Sequence, residues 1–400
     1  MPLPISPLAV TAYTATSAAG RGVDDFDRAL RERRGGLRRN DFGDDPLDCW
    51  IGRVDGLEQD AVPGEFAAID CRNNRLAWRG LQQDGFLAAA RAAVSRYGAD
   101  RVAVVLGTST ASIGATEAAY HDLDEDGGFA PRYRNFLLHS PHSLVAFVQG
   151  VLGTSGPVCT VATACSSSAK VFAQAERMIR FGWADAAVVG GVDTLCGSVL
   201  FGFNALQLVS DEPCRPFDVA RRGISIGEAA GFALLERAAS HPQAPRLLGW
   251  GESSDAHHMS SPHPAGIGAR LAIGAALERA GLSAEAVDYV NLHGTATPAN
   301  DAVEAVVVAE TFPATAVASS TKGWTGHTLG AAGIVEAVAC LIALERGFMP
   351  GTLNCDRPDP ACGPQLALDN VERAPAVALS SSFGFGGNNA VLVFGRGGRA

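Results

Sequence analysis

Short apolar runs rich in valine and alanine recur along the chain, and longer segments with a helical hydrophobic period lie between them. The runs that predict buried strands are RVAVVLG (101–107), DAAVVGG (185–191), VDYVNLHG (287–294) and AVALSSS (376–382). The segments with helical spacing are Leu81–Tyr97, Ser166–Phe181, Gly268–Ala280, Asp301–Thr311 and Gly330–Arg346. Because strands that alternate with helices form parallel sheets covered on both faces, this order predicts an α/β fold.

The two halves of the chain repeat the same order of elements. In the first half, a strand at 157–164 enters a helix near Ser166 through a turn of small residues. In the second, a strand near 316–320 enters a helix near Gly330 through the glycine-rich turn TKGWTGHTLG. We therefore predict duplicated α/β units, 1–240 and 241–400, which meet near the polar stretch RAASHPQAP and bring their strand-to-helix turns face to face.

Composition excludes several classes of protein. The net charge of −10 argues against a nucleic-acid binder, which needs a basic face for phosphates. No apolar run approaches the about 20 residues needed to span a bilayer, and MPLPISPLAV lacks the layout of a signal peptide, so we expect a cytoplasmic protein without a membrane segment. The nine cysteines are scattered and form no C-x-x-C pair, which predicts reduced thiols and no metal site.

One cysteine lies where a strand is predicted to end and a helix to begin. Cys165, in TVATACSSSAK, would face the free N–H groups and the positive end of that helix, which favour a thiolate. The small hydroxyl residues after it let a ligand approach closely. The other eight cysteines are typical of buried small residues.

Two histidines lie in turns that follow predicted strands. His293, in HGTATPAND, is followed by Thr295 and Thr297, and a histidine at this position can polarise a carbonyl or move a proton. A structural histidine and ordinary loop hydroxyls are the alternative interpretation. His327 lies in SSTKGWTGHTLGAAG, five residues after Lys322.

Three further features accompany these histidines. Lys322 is one of only two lysines, the other being Lys170, and it can pair with Glu336 in the next predicted helix, although a plain salt bridge would explain that pair equally well. Glycines surround Phe385 in SSFGFGGNNA and leave backbone N–H groups available to an oxyanion. A β-bulge with an aromatic plug is the alternative for Phe385.

Together these segments resemble the β-ketoacyl-acyl carrier protein (ACP) synthases of the elongating type, from GTSTAS at 107–112 to GFGGNN. The resemblance implies a thiolase-like fold, in which duplicated α/β units form a five-layered αβαβα sandwich. Position by position, it implies an acyl-accepting nucleophile, two catalytic histidines, a motif lysine with its glutamate partner, two threonines that bind pantetheine, and a phenylalanine that completes the oxyanion hole and gates the site. These are Cys165, His293, His327, Lys322, Glu336, Thr295, Thr297 and Phe385.

The reaction that the resemblance implies is a decarboxylative Claisen condensation between an acyl chain on Cys165 and malonyl-ACP. It needs no metal or organic cofactor, because the phosphopantetheine arrives on the carrier protein. Within this mechanism we expect Lys322 to pair with Glu336 and to hold the turn that aims His327, without transferring a proton itself.

The resemblance also implies partners. An acidic carrier protein needs a local basic patch, and the candidates are Arg72, Arg75, Arg79, Arg132 and Arg134. We expect a homodimer, or a heterodimer with a homologue like a chain-length factor. Asn388 stands where many fatty-acid synthases of the family carry threonine, and together with CRNNRLAW, RRGISIGEAAGFALLE and GESSDAHHMSSPHP it resembles the ketosynthases of aryl-polyene pigment pathways.

Related enzymes differ at the same positions. Initiating synthases pair the cysteine with histidine and asparagine, thiolases use a second cysteine, and chain-length factors lose the nucleophile. This chain has one cysteine and two histidines in the matching motifs. The remaining alternatives are a non-catalytic partner subunit of a ketosynthase heterodimer, and a thiolase acting on coenzyme A esters.

Overall fold

A computed structural model describes residues 4–398. The strands in this range are β1 (Leu8–Ser17), β2 (Gly20–Arg21), β3 (Arg38–Arg39), β4 (Trp50–Gly52), β5 (Val102–Gly107), β6 (Val158–Val161), β7 (Ala186–Asp193), β8 (Ile226–Gly227), β9 (Ala229–Arg237), β10 (Arg246–Ser254), β11 (Tyr289–Asn291), β12 (Val317–Ser319), β13 (Val377–Gly384) and β14 (Asn388–Gly395). The α-helices are α1 (Val23–Arg31), α2 (Arg72–Leu81), α3 (Phe86–Tyr97), α4 (Ile113–His121), α5 (His142–Leu152), α6 (Ser167–Arg180), α7 (Gly197–Ala205), α8 (Ile267–Ala280), α9 (Pro298–Thr311), α10 (Lys322–Thr325) and α11 (Ala332–Arg346).

The main strands form two sheets that meet at one seam. Their hydrogen-bonded order is β12-β11-β13-β14-β10-β1-β9-β7-β5-β6. At the seam, β1 and β10 share only the pairs Leu8↔Leu247 and Ala9↔Arg246, whereas β1 and β9 pair along nearly their whole length. The N-terminal half therefore contributes the sheet from β1 to β6, and the C-terminal half the sheet from β12 to β10.

Helices cover both faces of each sheet, and this produces the five layers. Helices α6 and α11 lie between the sheets in the largest apolar core. Residues of α2, α3 and α5 pack on the outer face of the first sheet, and residues of α8 and α9 pack on the outer face of the second. The sequence of α11, AGIVEAVACLIALER, is apolar on all sides, as a helix between two sheets must be. The predicted thiolase-like sandwich is confirmed.

The predicted strands pair parallel with one another within each half, but both sheets also contain antiparallel pairs that the sequence pattern did not indicate. Strands β5, β6 and β7 run parallel, as do β11, β12 and β13, but β1, β9, β10 and β14 pair antiparallel with their neighbours. One reason lies in a short connection: β13 reaches β14 without an α-helix between them, and these two strands pair antiparallel. Short connections join antiparallel strands, whereas parallel strands require a crossover.

One predicted helix had the wrong start. The segment 81–97 contains the end of α2 and all of α3, separated by Asp84 and Gly85 in the left-handed region at φ 53° and 69°. This break ends any continuous helix. In the part of the chain that the structure describes, no helix is long and apolar enough to cross a membrane.

Candidate active site

Cys165 lies on a sharp turn between β6 and α6. Ala164 before it adopts φ 52°, a left-handed conformation that is uncommon for a residue with a side chain. Ser166, Ser167 and Ser168 after it are fully buried, and the backbone of Ser168 packs against Gly107, where a Cβ would come within 2.5 Å of it. The predicted small residues therefore serve close packing, and the turn aims the thiol away from the core.

The turn after β11 is held by two buried carboxylates from α9. The N–H groups of His293 and Gly294 donate to Glu304, each at 2.7 Å. The N–H of Ala296, a residue at φ 67°, donates to Asp301. Sequence reasoning did not single out Glu304. The sequence feature that could have identified Glu304 is its position, one helical turn after Asp301 on a helix that begins beside the histidine motif.

His327 is fixed from the opposite side of the cavity. Its N–H donates to the carbonyl of Ser225 at 2.7 Å, and its own carbonyl accepts from the N–H of Gly227 at 2.9 Å. These two bonds attach the turn between α10 and α11 to β8. The backbone of His327 is therefore fixed at both its N–H and its carbonyl, and this positions the imidazole.

The three predicted side chains converge. Nε2 of His327 lies 3.0 Å from Sγ of Cys165, and the two imidazole rings stand 5.4 Å apart at 87°. One ligand atom from each of Cys165, His293 and His327 lies within 4.8 Å of the others. All three side chains are buried at the base of a cavity of about 370 Å³, whose lining also includes Thr295, Thr297 and Phe385.

Both histidines present an N–H to this cavity. Nδ1 of His327 accepts the N–H of Leu329 at 3.3 Å, and Nδ1 of His293 faces the ammonium of Lys322 at 3.4 Å. A neutral imidazole that accepts at Nδ1 carries its proton on Nε2. Burial, and then the charge of Lys322, hold the pKa of each histidine well below its usual value. The rings are therefore neutral donors that suit a developing negative charge.

Lys322 contacts His293 and not His327. Its ammonium pairs with Glu336, as predicted, and also donates to the carbonyl and faces Nδ1 of His293. The prediction that this pair holds the turn that aims His327 stays a prediction, and the ammonium itself reaches across to the turn after β11. Its buried position between Glu336 and His293 orients the latter ring.

Burial opposes ionisation of the Cys165 thiol. Burial raises its pKa to about 11, although the backbone N–H groups of Phe385 and Cys165 both reach Sγ and, with Lys322, lower the pKa. Desolvation outweighs these contacts.

Phe385 lies beside a second aromatic ring that sequence reasoning missed. Its ring stacks at 31° on Phe203 of α7, with centroids 5.6 Å apart, and both rings line the cavity. Gly386 and Gly387 follow in the left-handed region. Asn388, the residue that departs from the family pattern, accepts a hydrogen bond from Lys170 at 3.1 Å. The two threonine hydroxyls, of Thr295 and Thr297, lie 2.8 Å apart in the cavity wall.

Each arginine proposed for the basic patch has a carboxylate partner. The pairs are Arg72 with Glu228 and Glu58, Arg75 with Asp70, Arg79 with Asp60, Arg132 with Asp122, and Arg134 with Asp124. The first three arginines are also largely covered, with side chains at most 27% exposed. Arg132 and Arg134 stay largely exposed, and a basic patch for an acidic partner stays a prediction.

Comparison with known proteins agrees with this geometry. The family model for the beta-ketoacyl synthase N-terminal domain matches residues 6–241, and the model for the C-terminal domain matches residues 245–356. The chain is a β-ketoacyl synthase. The enzyme is 36% identical to 3-oxoacyl-[acyl-carrier-protein] synthase 2 of Vibrio cholerae, over 76% of this chain and 78% of that protein. It is 38% identical to nodulation protein E of Rhizobium meliloti, over 74% and 75% of the two chains.

A solved ketosynthase has nearly the same fold throughout. The ketosynthase ApeO of Xenorhabdus doucetiae, solved in complex with its chain length factor ApeC, matches this synthase with a TM-score of 0.88 and 36% identity over 98% of both chains. The cluster of Cys165, His293 and His327 would also suit a zinc ion in its residue types. The prediction that the enzyme uses no metal or cofactor stays a prediction.

Proposed function

We propose that this synthase catalyses decarboxylative condensation of an acyl chain on Cys165 with malonyl-ACP. The observation that carries the proposal is the convergence of one thiol and two imidazole Nε2–H donors in one buried cavity. A nucleophile alone would support acyl transfer. Two neutral donors beside it supply what decarboxylation needs, namely stabilisation of an enolate oxygen.

In the first half-reaction, the sulfur of Cys165 attacks the thioester carbonyl of an acyl-ACP. The carbonyl oxygen takes the negative charge, and the N–H groups of Cys165 and Phe385 donate to it. Collapse of the intermediate breaks the bond to the pantetheine sulfur. Cys165 loses one proton in this step, and the departing pantetheine thiolate gains one.

In the second half-reaction, Nε2–H of His293 and of His327 donate to the thioester oxygen of malonyl-ACP. The bond to the carboxylate breaks, carbon dioxide leaves, and its electron pair forms an enolate that these donors stabilise. The enolate carbon attacks the acyl carbonyl on Cys165, and the thiolate leaves and regains a proton. Thr295 and Thr297 line the route by which we propose that the pantetheine arm enters.

The pH dependence of the two half-reactions should differ. Because the pKa of Cys165 is about 11, the thiolate fraction and the acylation rate should rise about tenfold per pH unit between about pH 7 and 9. Both histidines stay neutral across this range, so malonyl-ACP decarboxylation should change by less than about threefold. Single-turnover rates measured across this pH range test the difference. An acylation rate that is already level at pH 7 would show that the thiolate exists at rest.

We further propose a cytoplasmic enzyme that works as a dimer with an acyl carrier protein as substrate donor. Two of the similar solved structures are ketosynthases with chain length factors, ApeO with ApeC and the ishigamide pair. Strand β6 ends its sheet and has a hydrogen-bonded neighbour on one side only among the described residues. Val158 on this strand is 43% exposed, and Phe136 and Tyr120, in the segment 113–139 that follows β5, are 86% and 66% exposed, which favours burial of these apolar side chains against another subunit.

The subunit composition is testable by purification. We expect light scattering to give the mass of two chains, either for the protein alone or after coexpression with a homologue that lacks the nucleophile. Phe136→Asp should shift this equilibrium toward monomer, because it places a charge in an apolar interface. Phe181→Asp, at an exposed aromatic on the far end of α6, is the matched control. A monomer under every one of these conditions would contradict the proposed dimer.

The pathway in which the enzyme works can be proposed from features of the sequence. Asn388 and the three sequence segments noted above resemble aryl-polyene ketosynthases, so we propose elongation of polyene pigment chains over housekeeping fatty-acid elongation. Unsaturated acyl-ACPs should then acylate the enzyme faster than saturated ones of equal length. Equal or reversed rates would contradict the assignment.

The reaction itself is tested by incubating the purified enzyme, alone and with candidate partner subunits, with acyl-ACP and malonyl-ACP. We expect a 3-oxoacyl-ACP and one carbon dioxide per condensation. Formation of acetyl-CoA from acetoacetyl-CoA and free coenzyme A would instead identify a thiolase. Absence of acylation and of condensation with every partner would identify a non-catalytic subunit.

A further inference from the structure

Asp193, at the end of β7, is a fully buried carboxylate that gathers hydrogen bonds from two separate segments. The first segment is the turn after β5. Oδ1 of Asp193 accepts from the hydroxyl of Thr108 at 2.6 Å and from the N–H and hydroxyl of Thr110 at 3.0 and 2.9 Å, and it also faces the N–H groups of Ser109 and Ala111. Oδ2 accepts from the N–H and hydroxyl of Ser109 at 2.8 and 2.7 Å.

The second segment is the turn that carries His327. The N–H of Gly330 donates to Oδ2 of Asp193 at 2.6 Å. A side chain at position 330 would not fit, because a Cβ on Gly330 would come within 2.6 Å of both Oδ2 of Asp193 and the backbone nitrogen of Ser109. Asp193 therefore ties the start of α11 to the turn after β5, three residues beyond the histidine.

Between this anchor and the histidine lies a strained residue. Leu329 adopts φ 56°, a strained conformation for a branched side chain that persists only where neighbouring contacts hold it. Its N–H donates to Nδ1 of His327, and this is the bond that leaves the imidazole proton on Nε2. Asp193 holds the far side of Leu329 through Gly330, so it maintains the strained backbone that sets the tautomer of His327.

We propose that Asp193 is a positioning residue for the decarboxylation half-reaction. It acts through Gly330 and Leu329, and keeps the Nε2–H of His327 directed at the thioester oxygen. Acylation of Cys165 does not depend on this donor, because its oxyanion is held by the N–H groups of Cys165 and Phe385. The proposal rests on the proposed function and deepens it, since it assigns to one half-reaction a carboxylate that touches neither substrate nor thiol.

Asp193→Asn tests the proposal with little change in volume. The NH₂ group of the asparagine can no longer accept a hydrogen bond, so it should take the oxygen position with fewer backbone N–H groups. Oδ2 faces two such groups and Oδ1 faces three, so we expect the NH₂ group at the Oδ2 position. The bond from Gly330 is then lost. Because a displacement of about 1 Å in a reacting group can cost about a hundredfold, we expect malonyl-ACP decarboxylation to fall 10- to 100-fold in kcat with little change in KM. Acylation should stay within about threefold of wild type, or rise if Nε2 becomes a base for the thiol.

A second variant approaches the contact from the other side. Gly330→Ala keeps the carboxylate but pushes the turn away from it, so the same split between half-reactions is expected. Asp218→Asn is the control, because Asp218 is equally buried and accepts the N–H groups of Ala220, Asp356 and Arg357 but none from 326–331. It should lower the melting temperature without separating the two rates.

All rates are measured well below the melting midpoint of each variant. A merely structural role would lower both half-reactions of Asp193→Asn by the same factor, or neither, and either result overturns the proposal. Wild-type enzyme that neither acylates nor decarboxylates would overturn the proposed function itself, so the two failures are distinguishable.

Discussion

Replacing Cys165 with alanine should abolish acylation and leave malonyl-ACP decarboxylation intact. The substitution removes the sulfur that attacks the acyl thioester, but it leaves His293 and His327 with their Nε2–H donors and their backbone supports. The side chain is small and the turn that carries it is held by neighbouring backbone, so loss of one sulfur should cost at most about 1–2 kcal/mol of stability. The melting temperature and the subunit mass should therefore stay close to those of the wild type.

The measurement for this variant is intact-protein mass after incubation with acyl-ACP, together with carbon dioxide release from malonyl-ACP. Cys362→Ala is the matched control, since it removes the sulfur of a partly covered cysteine that lies outside the cavity. It should acylate at the wild-type rate. An acyl adduct on the Cys165→Ala protein would refute the assignment of the nucleophile.

Replacing Lys322 with arginine should separate the half-reactions in a different way, through His293. The ammonium is enclosed by Glu336, the carbonyl of His293 and its Nδ1, and it is only 2% exposed. A guanidinium is a wider planar fork and cannot donate to these three groups from one point. We expect the charge pair with Glu336 to survive and the ring of His293 to move, so condensation should fall about a hundredfold while Cys165 still acylates.

The control for this exchange is the only other lysine in the sequence. Lys170→Arg changes the same group at a half-buried position whose ammonium contacts Asn388 and no histidine. It should leave decarboxylation within about threefold of the wild type. Since an arginine inside a packed core costs about 1–3 kcal/mol, the melting temperature of Lys322→Arg is measured alongside. Condensation at the wild-type rate would show that Lys322 supplies charge and no geometry.

The nucleophile and both histidines could be predicted because each lies in a local motif. Cys165, His293 and His327 all follow a strand or a tight turn whose small residues are visible in the sequence. Their convergence was expected once the halves were seen to repeat, since duplicated units bring equivalent turns together. The buried helix α11 was equally visible, because its apolar residues surround the whole helix.

The remaining features depend on contacts between distant residues. The pairing of Arg72 with Glu228 spans 156 positions, and no local pattern distinguishes such an arginine from a free one. The contact of Lys322 with His293 likewise depends on how two turns of the same half face each other. Asp193 had one local signal, a carboxylate that ends a wholly buried strand, but its donors come from turns 85 and 137 positions away. The balance between burial and the helix end at Cys165 also depends on how completely the cavity excludes water.

The proposed mechanism requires one thiol and two imidazoles to act in sequence in a single cavity. A single-turnover experiment tests it directly: the enzyme is acylated with acyl-ACP, freed of excess substrate, digested in one portion and chased with malonyl-ACP in another. We predict that the acyl mass lies on the peptide containing Cys165, and that the chase removes it with release of one carbon dioxide and one 3-oxoacyl-ACP. An acyl group on a different cysteine, or one on Cys165 that malonyl-ACP does not discharge, would contradict the account.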